Sequence, residues 1–290
     1  KKIIRKQQAD GFWKWQGKRD PHAVNVFDLT ETWKQLRFLV EMYGMTREHS
    51  AIEKAAEFIF SCQTEEGDIR GILGNQYTPY YNGAIIGLLN RAGYQDDPRT
   101  IKVLEWLLTM RQDDGGWVIG SPGALGADLS WEELSRATTY DVPPLREFDF
   151  NQPSAHSGTG MVIRGFANHP EWKNSPEAIK AAKFLKGQFF KKDNYSSYQH
   201  PDNWVRFQFP FWWNNLVAAI ESVVQIGFDL DDPDVKKAVD WLVEHQQEDG
   251  TWKHSYSKIH KTSASPKARA EALWVSYKIC TILKMLETGV

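Results

Sequence analysis

The sequence predicts an all-α protein, an α/α toroid in which inner and outer helices alternate around a ring. Two observations carry that expectation. The stretch DPRTIKVLEWLLTMRQDDGGW at 97–117 aligns without gaps on DPDVKKAVDWLVEHQQEDGTW at 232–252, so the chain repeats itself. Amphipathic helices also alternate with more apolar helices rich in small residues, and a helix apolar around most of its girth is buried on most sides.

The repeat sets the element boundaries. Each outer helix opens on Asp or Ser followed by Pro, an N-cap and first-turn pair, and closes near a Gly. Outer helices end near residues 8, 63, 112, 189 and 247. QQADGFW (7–13) keeps Gln8, Asp10, Gly11 and Trp13 at the repeat's offsets. QTEEGDI (63–69) keeps Gln63 and Gly67 with one extra residue, and in the fourth copy Asn194 stands where Gly is expected. Inner helices are expected at 28–43, 79–92, 155–168, 210–226 and 266–286. Successive repeat ends lie 48 or 56 residues apart, except Gly115 to Asn194, which is 79. One toroid over 1–290 is therefore expected, with a lid or rim insertion at about 118–154 that carries a short helix at 128–137. Lys1 falls inside what reads as an outer helix, as if the chain began within one.

Composition narrows function. With 41% hydrophobic and 25% charged residues the chain has the make-up of a globular protein. A net charge of −2 argues against nucleic acid, which needs a concentrated basic face. No apolar run reaches the roughly 20 residues of a transmembrane helix. Two cysteines, Cys62 and Cys280, form no disulfide framework and read as packing residues, so the expected location is cytoplasmic. The excess lies in aromatics, 13 Trp, 15 Phe and 10 Tyr, which line pockets for cations, sugars and hydrocarbons as well as cores.

The Gln, acid, Gly, Trp unit resembles the QW repeat of squalene-hopene and oxidosqualene cyclases. It also looks like the repeat of protein prenyltransferase β subunits. The resemblance implies the toroid and an apolar or prenyl ligand, and it raises a second helical domain or subunit as partner. It also implies that Gln8, Gln63, Gln112, Gln247, Trp13, Trp117 and Trp252 are structural ties between outer helices. Two departures matter. Class II cyclases carry an Asp-x-Asp-Asp acid beside an inner helix, whereas Asp229-Leu230-Asp231-Asp232 precedes an outer helix here. Asp231-Asp232-Pro233 also falls on Asp96-Asp97-Pro98 of the sister repeat, so the string reads as a helix cap. Prenyltransferases hold zinc, but no metal-ligand spacing appears among the eight His, and neither metal nor cofactor is expected.

The long connections all join outer to inner helices, which puts the mouth of the ring over the inner-helix N-termini. Candidate catalytic groups there are Asp28, Glu31, Asp149 and His156. Candidate substrate contacts are Tyr80, Tyr81, Asn82, Trp204, Arg206, Trp212 and Trp213. Blander readings stand beside them: Asp28 with Glu31 as a capping box, His156 as a core histidine, and one of Trp212 and Trp213 as packing. Three functions remain open. The chain is an isoprenoid-related, terpene cyclase-like or prenyl-binding protein with an aromatic central cavity; or a non-catalytic scaffold or binding protein; or a glycan-active enzyme. The last would be a hydrolase through Asp28 and Asp149, or a lyase through His156 and Tyr80.

Overall fold

A computed structural model of the chain describes residues 2–18, 24, 26–119, 136, 142–144, 149–195, 199–256 and 265–289. Five inner helices succeed one another: α1 (Phe27–Arg37), α3 (Pro79–Leu89), α5 (His156–Ala167), α7 (Leu216–Ile226) and α9 (Pro266–Thr288). Outer helices alternate with them: α2 (Ser50–Phe60), α4 (Pro98–Thr109), α6 (Pro176–Gly187) and α8 (Pro233–Glu244). Consecutive inner helices pack on each other; α4 and α6 lean on both flanking inner helices, α2 on α1 and α8 on α7. The described residues hold no strand, only isolated bridges that close the repeat turns. None of their helices is long and apolar enough to cross a membrane. This is the α/α toroid that the repeat predicts.

Helix ends follow the sequence closely. Asp97, Ser175 and Asp232 cap α4, α6 and α8 through their side chains, each with Pro at the next position. Close approach of α3 and α5 rests on glycine. A Cβ added to Gly83 would stand 2.3 Å from Val162 Cα, so no larger residue fits there.

The tryptophans fasten the layers. The Trp117 indole Nε1 donates to Leu107 O of α4 at 2.8 Å, and its backbone N–H donates to Thr159 Oγ1 on α5 at 2.9 Å. Trp252 repeats this with Leu242 O at 2.6 Å and Ser276 Oγ at 2.8 Å. Trp13 does so with Ile3 O at 2.9 Å and Thr32 Oγ1 at 3.0 Å. Ile69 replaces Trp in the second repeat, and Asn82 takes the hydroxyl's place, accepting from Ile69 N at 2.6 Å. Each Trp thus ties its outer helix to the following inner helix, not one outer helix to the next.

Four expectations need correction. The tie between outer helices is made by Gln7, not Gln8. Gln7 Nε2 donates to Gly11 O at 2.8 Å and across to Ala51 O at 2.7 Å. Gln63 does the same with Gly67 O at 2.8 Å and Arg99 O at 2.9 Å. The working spacing is Gln to Gly at four residues, so what reads as an extra residue in the second copy is the true register. Gln8, Gln112 and Gln247 make other bonds, to Lys6 O, to Asp149 O and Gln152 O, and to Thr251 Oγ1. The fourth inner helix starts at Leu216, not at residue 210, because Asn215 caps it by accepting from Ala218 N at 3.1 Å. The first outer element is only a 3-10 turn, Ile4–Lys6. Cys280 is exposed rather than packed, on a face of α9 that no described outer helix covers, while Cys62 is half-buried. The predicted rim helix at 128–137 lies outside the described residues except for position 136.

Thr159→Val keeps the side-chain shape but leaves the Trp117 N–H buried without an acceptor. We expect a loss of about 1–3 kcal/mol in urea unfolding, with the helix content by circular dichroism unchanged.

Candidate functional site

The middle of the ring is filled from one side by the 206–215 loop. Arg37 Nη1 of α1 donates to Pro210 O at 3.1 Å and to Phe211 O at 2.7 Å. From α5, Arg164 Nη2 donates to Trp213 O at 2.9 Å and Nη1 to Trp212 O at 3.4 Å. Trp212 packs on Trp33 at 4.5 Å between centroids, with the Arg37 guanidinium 4.5 Å above its ring. Trp213 stacks on Tyr80 at 6.0 Å, and Tyr81 meets Trp33 edge-on at 5.3 Å. Beyond this plug lies a buried charge cluster. Glu221 of α7 pairs with Arg91 at 2.6 Å and with Lys278 of α9, and Glu41 lies close by. Burial pushes Arg37 and Arg164 down to about 10. Burial also pushes the Glu221 carboxyl up, but Arg91 and Lys278 outweigh it and hold it at about 2.

The space left in the middle is about 10 Å³, room for one water-sized particle. The central aromatics are those expected from the sequence, but they fill the ring instead of lining a cavity. The reason is that two buried arginines need acceptors, and the loop's carbonyls supply them. Ligand-sized space lies elsewhere. A cleft of about 880 Å³ opens where α1 faces the first half of α9, the seam between first and last inner helices. Its floor includes Phe38, Phe207, Phe209, Trp212, Trp213 and Trp274, with Phe209 and Trp274 stacked at 6.1 Å. Lys34, Arg206 and Lys267 line it too, and Glu271 is the carboxylate among its described lining residues. A second cleft of about 710 Å³ lies at the far ends of α5, α7 and α9.

The sequence-derived candidates divide. Arg206, Trp212 and Trp213 line the seam cleft, and Arg206 is steadied by Asn203 Oδ1 at 2.8 Å. Tyr80 and Tyr81 pack in the plug, where burial pushes Tyr81 up to about 12. Asn82 carries the second repeat's tie, and buried Trp204 donates from Nε1 to Lys191 O at 3.0 Å. Asp28 accepts from Trp15 N at 2.6 Å, Glu31 accepts from Gln35 Nε2 at 2.5 Å, and Asp149 is exposed in a turn tied to Gln112. None of Asp28, Glu31, Asp149 and His156 lines the central space or either cleft. Asp232 accepts from Asp234 N at 3.0 Å and Val235 N at 3.3 Å and pairs with Lys186 at 2.9 Å, so the acid string is a cap. Sequence reasoning missed Lys34, Arg37, Trp274 and the central ions. The one available signal was a charge inside an otherwise apolar helix, as in MVIRGFA and AAIESVV.

Residues 140–285, half of the chain, match the family model of the squalene-hopene cyclase C-terminal domain. The chain belongs to that family. No curated protein matches this family member in sequence. Among solved structures it is similar to the type II terpene cyclase MstE from Scytonema in complex with geranylgeranyl dihydroxybenzoate. The TM-score is 0.55 at 15% identity, covering 98% of this chain and 75% of that one. It is also similar to a protein from Actinoplanes, with a TM-score of 0.51 at 16% identity over 98% of this chain and 81% of the other. These likenesses establish the terpene cyclase-type toroid.

His156 in this cyclase-type ring is buried, stacked on Trp204 at 4.2 Å and 3.7 Å from Asp193, with the Lys191 backbone as its polar neighbour. Burial pushes its imidazole down to about 4, against an opposing pull from Asp193. The neutral ring is the one the fold accepts. Its contribution is therefore complete above the unfolded value of ~6.5 and is lost as pH falls toward 4, by ~3 kcal/mol at most. Urea unfolding at pH 7 and pH 4.5 should show that loss, and His156→Phe should flatten that part of the pH slope.

Proposed function

We propose that the chain is a terpene cyclase-type domain that holds an isoprenoid ligand in the seam cleft, not in the middle of the ring. The observation that carries this is the pairing of a six-aromatic floor with a cationic rim of Lys34, Arg206 and Lys267 around about 880 Å³. Drug-sized ligands occupy pockets of roughly 300–1,000 Å³, so a prenyl chain of diterpene length fits. The aromatic faces suit a hydrocarbon and any cationic centre that develops along it. The rim suits a diphosphate or another anionic head. Family membership supports the isoprenoid class, and the packed middle directs it to the seam. Residues 1–290 are proposed to form one toroid.

A second reading, a binding partner of another helical domain or subunit, has its own support. Leu273 and Tyr277 of α9 are 53% and 59% exposed, one turn apart on the face that also carries Cys280. The glycan-active reading has no such support, because Asp28 is held by Trp15 N and Asp149 by Asn151 N, in separate places.

Titration calorimetry with geranylgeranyl diphosphate tests the seam assignment. We expect micromolar binding that Trp274→Ala weakens about tenfold, roughly 1.4 kcal/mol. Lys267→Glu should weaken the diphosphate but not geranylgeraniol. No binding of either ligand would overturn the assignment and leave the α9 face as the working surface.

A further inference from the structure

The central cluster contains more positive than negative charge. Arg37, Arg91, Arg164 and Lys278 converge on it, while Glu41 and Glu221 are the carboxylates among the described residues there. Glu221 is shared by Arg91 and Lys278. Arg37 and Arg164, both more than nine-tenths buried, donate to loop carbonyls, Arg37 from Nη1 and Arg164 from Nη1 and Nη2, with no carboxylate bonded to them. Their Nε atoms are buried with no partner, and both residues line the small space of about 10 Å³. Glu41 Oε2 is likewise unpartnered. If Glu41 is ionised the cluster carries an excess of two positive charges, and if it is neutral the excess is three. Turning Glu41 toward one arginine would leave the other without a counter-charge.

Buried charges persist when paired, and an unpaired one is strongly disfavoured. A net positive cluster around a small void therefore calls for an anion. We propose that this void is a binding site for a monovalent, monatomic anion, a halide held by the Nε–H groups of Arg37 and Arg164 and the field of Arg91. Its volume admits one particle of about water size, so phosphate, sulfate and diphosphate are excluded. A halide that enters needs only small shifts of the arginine side chains. The ion would fix the two arginines that hold the 210–213 carbonyls, and so would stabilise the plug that keeps the ring filled.

The test uses the whole chain, dialysed into sodium gluconate. Chloride or bromide is added while gluconate is withdrawn at constant ionic strength, and the melting temperature is followed. We expect a saturable rise of several degrees with either halide, because a ligand bound to the native state alone raises stability with its concentration. Phosphate at the same ionic strength should give no saturable step, only the gradual rise that an excluded salt produces. Arg164→Met should abolish the halide response. If that variant does not fold, a crystal grown in bromide decides: an anomalous peak at the Arg37–Arg164 void supports the site. Equal stability in all anions, an equal saturable rise in phosphate, or a void without bromide would overturn it.

Discussion

Everything in this ring hangs on a tryptophan with two N–H groups to satisfy in a dry interior. At Trp117 and Trp252 the indole donates to a carbonyl of an outer helix, at Trp13 to Ile3 O beside the first turn, and each backbone N–H donates to a hydroxyl on the next inner helix. Both bonds are buried at Trp117 and Trp252, and a buried donor left open costs more than a made bond gains. Three repeats use that joint, and Ile69 with Asn82 takes its place in the second.

The same accounting explains why the middle is full. A ring of inner helices could enclose a cavity, but Arg37 and Arg164 project inward from two of them. Their donors need acceptors, and the 206–215 loop brings four consecutive carbonyls, from Pro210 to Trp213. With them come Trp212 and Trp213, which pack on Trp33 and Tyr80. Burying the loop displaces ligand-sized space to the seam between α1 and α9, where the aromatic surface meets the basic rim. The packed middle and the open seam are thus two results of one electrostatic constraint.

The candidate site was legible in part. The aromatic crowd around Pro210 was readable as unusual, and Arg206, Trp212 and Trp213 do line the cleft. The acids were not, because a carboxylate near a helix start has the same pattern whether it caps, pairs or catalyses. Asp28 bonds to Trp15 N, 13 residues earlier, and nothing local in the sequence announces that contact. The reading of 210–226 as one helix failed for a related reason. Apolar residues continue through 209–213, but Asn215 and two distant arginines claim the backbone there.

What the sequence determined alone was the repeat, the alternation of inner and outer helices, and their caps. Those depend on contacts within a few residues: Asp-Pro at a helix start, Gly at a turn, apolar spacing along one face. What only the tertiary structure decided was which residues meet across the ring. Arg37 lies 173 residues from Pro210, and Glu221 lies 57 from Lys278. Such pairings cost chain entropy to form and leave no local trace, so whether the middle is empty, filled or charged emerges only when the ring closes.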